Sequence, residues 1–283
     1  MAAGAGLGAL AKADELKKRL WFTLGALIVY RLGTYLPLPG INPGALADIF
    51  SQQSSGILGM FDMFSGGALG RMTIFALNIM PYITASIIMQ LMTAILPSLE
   101  ALKKDGESGR KVINQYTRYL TVLLASVQGY GIAVGLESAS GVVNDPGMFF
   151  RVTTVVTLVG GTLFLMWLGE QITSRGVGNG ISLLIFSGIV AHLPTALAGT
   201  LALGRTGALS SLLIVLLLVM AVAVIAFIVF IERSVRKILV QYPKRQHGNK
   251  VFGGDQSFLP LKINVPGVIP PIFASSLLLM PVS

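Results

Sequence analysis

The chain has 283 residues, 53% of them hydrophobic and only 12% charged, with 21 Lys and Arg against 12 Asp and Glu and no cysteine. Mean hydropathy is +0.76, and soluble domains carry roughly 25% charged residues, so a soluble core is excluded. The missing cysteines exclude a disulfide framework, a thiolate metal site and a cysteine nucleophile.

The first 19 residues are Ala/Gly-rich and then charged, without the apolar core and cleavage site of a signal peptide, and are expected to form a cytoplasmic tail. A spanning helix needs about 20 apolar residues. Apolar runs of that order occur at about 20–36, 72–96, 119–136, 152–169, 181–198, 209–231 and 267 onward. The last run reaches Ser283 with no flanking charge or cap, so the sequence is read as part of a longer protein.

Between the first two runs, Ser51–Gly70 reads SQQSSGILGMFDMFSGGALG. It is too apolar for an ordinary loop and too Gly-broken to span. Either a re-entrant helix at membrane depth or an interfacial amphipathic helix fits it. Runs two to five carry small and polar residues, among them Thr84, Ser86, Gln90, Gln128, Gly129, Gly131, Gly160, Gly161 and Gly188. These favour close helix packing or a wet interior. Run 209–231 has no Gly, Pro or charge and reads as a lipid-facing helix.

In the loop 232–265, KILVQY (237–242) is strand-like, Val251-Phe252 is a second apolar piece, and His247-Gly248-Asn249 supplies turn chemistry. The spacing predicts a cytoplasmic hairpin with Lys244, Arg245 and Lys250 near its tip, serving as a topology signal or as a basic partner surface.

Basic residues set the topology. Apart from Arg31 within the first run, and Arg71, Arg151 and Arg205 in segments on the opposite side, every Lys and Arg falls on one side of the membrane. That side is cytoplasmic and holds the amino terminus. Arg31 is expected to snorkel outward or to pair with Asp48 or Asp62. The sequence has no HExxH, G-x-S-x-G or P-loop, only the distant His192 and His247, and no acid at a span centre. No enzyme, metal or cofactor is therefore expected.

Four long stretches carry a resemblance. MFDMFSGGALGRMTIFALNIMPYITASIIMQL (60–91), KKDGESGRKVINQYTRY (103–119), MWLGEQITSRGVGNGISLLIF (166–186) and LPLKINVPGVIPPIFASSLLL (259–279) resemble the SecY family of bacterial protein-conducting channels. The resemblance implies an all-α polytopic membrane protein with two pseudo-symmetric halves, a re-entrant plug helix and a cytoplasmic hairpin loop. In this sequence it implies a tail at 1–19, a first half at 20–198 with the plug at 57–70, and the start of a second half at 199–283. That last part would hold helix six, the basic loop and a truncated helix seven.

The implied function is passage of unfolded polypeptide across the bacterial inner membrane and sideways release of apolar segments. A pore ring would be formed by Ile79, Ile83, Leu183 and Ile269, with Leu183 in place of the family's usual isoleucine. Without the resemblance, Ile79 and Ile83 read as core or lipid-facing residues. Gly59–Leu69 matches the plug, including Met60, Phe61, Met63, Phe64, Ser65 and the hinge pair Gly66-Gly67. Thr84, Gln90 and Asn264 are polar candidates for a lateral gate. Arg233, Arg236, Lys244, Arg245 and Lys250 would meet a ribosome or the SecA motor ATPase. SecE and SecG companions, signal peptides, nascent chains and the lipid bilayer complete the implied partners. A secondary transporter, an intramembrane protease and a structural scaffold are the competing readings. The first two ordinarily need a buried carboxylate that this sequence lacks.

Overall fold

The structure, a computed structural model, describes residues 14–46, 65–139, 141–207, 209–241, 245–247, 250–252 and 256–264. The chain divides into two compact units, Met1–Ala196 and Leu197–Ser283.

In the first unit, α1 spans Asp14–Gly33 with Asp14 and Glu15 in its first turn and Arg31 in its last, the charge order that suits a helix dipole. Thr23, Ala26, Tyr30 and Gly33 are buried, so the helix turns one face inward. The chain then runs extended. Leu38 N–H donates to the Met72 carbonyl (2.9 Å) and Ile74 N–H to that of Leu36 (3.0 Å). Further on, Asn42 N–H meets Val142 O (2.8 Å), tying this segment to a second outer one.

The run at 72–96 is not one helix. Met72 and Asn78 adopt φ of 41° and 51°, left-handed values that interrupt helical hydrogen bonding. Helix α2 starts only at Met80 and ends at Ile95, with Pro81 in its first turn, where a missing N–H costs nothing. It bends by 100° into α3, Pro97–Lys104.

Helix α4 (Glu107–Ser138) packs on α5 (Met148–Arg175) through a stripe of small residues, Thr117, Thr121, Ala125, Gly129 and Ala133, one every four residues. Such a stripe brings backbones close. A methyl group at Gly129 would lie 3.6 Å from Val155 Cα. The glycines of runs two to five are not equivalent, since open space surrounds Gly131 and Gly160. Ion pairs staple the two helices. Arg118 reaches Glu170 at 2.7 Å, and Arg151 reaches Glu137 at 2.6 Å while Gly147 N–H also donates to Glu137 (3.0 Å). Run five is interrupted: α6 (Gly180–Val190) and α7 (Leu193–Arg205) meet at Ala191-His192. The Asn179 carboxamide caps α6 by accepting from Ile181 and Ser182 N–H.

In the second unit, α8 (Ser211–Arg233) has no buried residue among its described side chains, as its uniform apolar composition leads one to expect. The basic loop departs from the expected hairpin. Strand β1 (Val235–Gln241) pairs antiparallel with β4 (Gln256–Lys262), from Val235↔Lys262 to Gln241↔Gln256, and not with the Val251-Phe252 piece. The latter lies in β3 (Lys250–Phe252), which pairs with β2 (Arg245–His247). Pro260 obscures β4 in the sequence. Proline is tolerated where its missing N–H faces away from the ladder, and in a two-stranded ribbon both strands are edges.

Four described helices are long and apolar enough to cross a membrane, counting α6 and α7 together, or five if the bent α2–α3 pair is one span. Helix α1 is not among them, because its first turns carry Lys17, Lys18 and Arg19 beside the two acids.

Candidate functional site

Gly66–Ile79 is the irregular segment that organises the first unit. Its side chains divide between two apolar clusters. Met72 and Ala76 join Leu38, Ala133, Leu136, Val142, Phe150 and Leu158. Phe75 and Ile79 join Tyr30 of α1, Leu165, Leu168 and Ile172 of α5, and Leu184 of α6. The segment threads between helices with almost no clearance. A methyl group at Gly33 would collide with the Phe75 ring, and one at Gly161 with the Ile74 carbonyl. Non-helical backbone of this kind is tolerated at membrane depth where protein encloses it.

Three expected ring residues meet in the second cluster. Ile79 is 1% exposed and stands just before α2, while Ile83 and Leu183 are half-buried against the same group. Ile83 N–H donates to the Ile79 carbonyl (3.1 Å), so the pair shares one helix face. Ile269 lies outside the described residues. An aromatic stack leads away from this cluster. Tyr30 and Phe75 rings are 6.2 Å apart, Phe75 and Phe164 5.8 Å, and Phe164 and Trp167 5.8 Å.

Of the expected plug residues, Ser65, Gly66 and Gly67 are described, and all are buried; Met60, Phe61, Met63 and Phe64 lie outside the described residues. The two glycines adopt φ of +69° and +82°, which explains why both lack a side chain. Their carbonyls are held by arginines. Arg31 Nη1 donates to Gly66 O (2.9 Å), Arg71 Nη2 donates to the same oxygen (3.1 Å), and Arg71 Nε donates to Gly67 O (2.9 Å). Both guanidinium groups lie over the Tyr35 ring, at 5.1 and 4.3 Å from its centroid. Arg31 thus turns to a backbone carbonyl and a tyrosine. Asp48 and Asp62, its expected partners, lie outside the described residues.

The gate candidates Thr84 and Gln90 use their polar atoms along α2 itself, Thr84 Oγ1 donating to Met80 O (3.1 Å) and Gln90 Nε2 to Ser86 Oγ (3.5 Å). Asn264 belongs to the second unit, where its Nδ2 donates to Glu232 Oε1 (2.6 Å) and closes the base of the ribbon. Arg233 ends α8 and Arg236 lies on β1, both exposed. Arg245 pairs opposite Phe252 and Lys250 opposite His247, which brings these two basic positions to the short β2–β3 ribbon. Lys244 lies outside the described residues.

Sequence reasoning passed over Tyr35, Phe75 and the meeting of Arg31 with Arg71. The available signal was a charge, Arg31, inside the first apolar run, and Arg71, four residues after a Gly-Gly pair.

Taken together, several apolar helices around a buried non-helical segment, with basic residues kept mostly to one side, define a polytopic helical membrane protein. The SecY family model matches residues 73–283, and the chain belongs to the SecY family. It is 56% identical over 272 residues to the protein translocase subunit SecY of Rickettsia bellii, covering 95% of this chain and 63% of that protein. It is 54% identical to the Escherichia coli K12 protein of the same name, covering 94% of this chain and 61% of the relative. The chain therefore spans somewhat under two thirds of these relatives. A solved structure described as that of a protein conducting channel superposes with a TM-score of 0.58 at 20% identity, covering 93% of this chain and 56% of the other. The canine Sec61 chain in a ribosome–channel complex gives 0.55 at 19% identity, with the same coverage. At these identities the two structures speak for the fold, a SecY-type helical bundle.

Proposed function

We propose that this chain is the amino-terminal part of a channel subunit that passes unfolded polypeptides across the bacterial inner membrane and releases apolar segments into lipid. The observation that carries the reading is identity above half, along nearly the whole chain, to relatives named protein translocase subunit. The amino terminus is cytoplasmic by the distribution of Lys and Arg.

In this reading Ile79, Ile83 and Leu183, with Ile269, form an aliphatic ring that fits around an extended chain and excludes hydrated ions. The apolar cluster that gathers the first three supports it. The Gly59–Leu69 stretch is the plug of that ring. Thr84, Gln90 and Asn264 are the polar residues of a lateral gate. Arg233, Arg236, Lys244, Arg245 and Lys250 dock a ribosome or SecA, which supplies the energy, while SecE and SecG are companion subunits. The chain itself is not an enzyme. Conductance of planar bilayers holding the full-length chain tests the ring. Ile83→Gly raises ion leak if the cluster is a seal, and unchanged conductance would reduce Ile83 to a packing residue.

A further inference from the structure

The outer side of a membrane protein is poor in basic residues, so those kept there ask for a reason. Arg151 has one in Glu137. Arg31 and Arg71 show no ion pair among the described residues; their guanidinium groups go instead to two backbone carbonyls and one aromatic face. Two cations placed side by side repel each other. The Gly66 and Gly67 oxygens and the Tyr35 ring, whose face is electronegative, offset that repulsion. A carbonyl oxygen has two lone pairs, and Gly66 O uses them for both arginines at once. Tyr35 OH accepts a further bond from Arg31 Nη2 (3.2 Å).

The corner is also wedged from behind. A methyl group at Gly66 would lie 3.1 Å from Gly188 Cα of α6 and 3.1 Å from Arg31 Nη1. Helix α6 carries Leu183 and Leu184 into the apolar cluster around Ile79. One arginine comes from α1, the other from the far side of the corner itself. The corner is therefore pinned to α1 by Arg31, shaped internally by Arg71 and seated on α6.

We propose that Arg31 and Arg71 are positioning residues that clamp the Gly66-Gly67 corner in its left-handed shape against α6, with Tyr35 as the surface that aligns them, so that breaking the clamp frees the corner and weakens the seal. The sealing consequence rests on the channel reading above; the clamping itself does not. Geometry and not charge is what the clamp needs. Arg71 spans two carbonyls with a rigid fork, and the ammonium of a lysine is a point charge that does not reproduce it.

The test is a Ser65→Cys probe in the full-length chain, reconstituted in proteoliposomes and labelled from outside with a membrane-impermeant maleimide. Ser65 is 3% exposed, so labelling of the parent is slow. Hydrogen bonds to charged groups are strong enough that losing one shifts a local equilibrium about tenfold or more. Arg71→Gln and Arg71→Lys should both raise the labelling rate by about that factor, and Arg31→Gln by less, with membrane insertion unchanged. Ion leak should rise in the same order. Parent-like labelling in Arg71→Lys would show that charge alone matters and overturn the clamp, as would unchanged labelling in all three. If Arg71→Gln fails to insert, Arg31→Gln carries the test, and unchanged labelling in it is decisive against the proposal. Deleting Gly59–Leu69 separates the two readings. Leak after deletion with no response to the arginine variants leaves the plug and removes the clamp. Faster labelling in the variants with no leak after deletion keeps the clamp and places the seal elsewhere.

Discussion

Helices α5 and α8 are both apolar and both long enough to span, yet they are built for opposite surroundings. Helix α5 buries Phe150, Thr154, Leu158, Gly161, Thr162, Leu165, Met166, Leu168, Gly169 and Ile172. Helix α8, richer in Leu, Val and Ile, buries none. The more hydrophobic helix is the one that buries least. In lipid, apolar side chains gain nothing by choosing a protein neighbour, so packing is decided by shape and by small residues that let backbones approach. Glycine and threonine, not leucine, mark the inner helix.

The contrast is broken most forcefully on the second unit, where an exposed surface is given a task. Reversing Arg236, Lys244 and Arg245 to Glu should lower the log–log salt slope of ribosome binding by about two to three, since each lost phosphate contact removes nearly one. Cosedimentation of the full-length detergent-solubilised channel over a salt series measures it. Equal slopes would leave the ribbon as a topology signal.

Next comes Gly161→Val. Its new side chain meets the Ile74 carbonyl, and overpacking of this kind costs about 1–3 kcal/mol or more. A large fall in the thermal midpoint in detergent is expected. Gly160→Ala, one position away in open space, should be neutral or raise the midpoint slightly. Equal effects at the two sites would mean that α5 does not pack as described.

The two ion pairs sharpen the comparison at a finer scale. Glu137 is 9% exposed at its side chain and holds Arg151 and Gly147 N–H, whereas Glu170 is 37% exposed. Glu137→Gln should destabilise the fold more than Glu170→Gln, whose cost is no more than about 1 kcal/mol. Denaturant melts of both variants decide whether burial sets the order. The smallest effect belongs to Leu216→Ala on α8, within about 0.5 kcal/mol, because the side chain is 63% exposed.

Periodicity and length made α4, α5 and α8 legible, because each apolar run of the sequence lies within or nearly within its helix. The start of the second run was not. Met72 and Asn78 have ordinary hydropathy, and nothing in it encodes a positive φ. Strand β4 was hidden by Pro260. Gly66-Gly67 was legible as a special backbone position but was read as a hinge, whereas the structure shows both carbonyls held. The contact from α1 was out of reach, since Arg31 and Gly66 are 35 residues apart in sequence, whereas Arg71 lies only four and five residues from the two carbonyls it holds. The grouping of Ile79 with Leu183 came only from family likeness; spacing alone left Ile79 and Ile83 as core or lipid-facing residues.

The stack of Tyr30, Phe75, Phe164 and Trp167 begins fully buried and ends at an indole that is 51% exposed. This chain has 2 Trp, and the other, Trp21, is 73% exposed on α1. Replacing Trp21 by Phe would leave Trp167 as the single tryptophan of these 283 residues, coupled through two rings to Tyr30, which shares the apolar cluster of Ile79. Shifts in Trp167 emission, or in its quenching by brominated lipids, would then report rearrangement of the interior as an optical signal from the rim, with no foreign label.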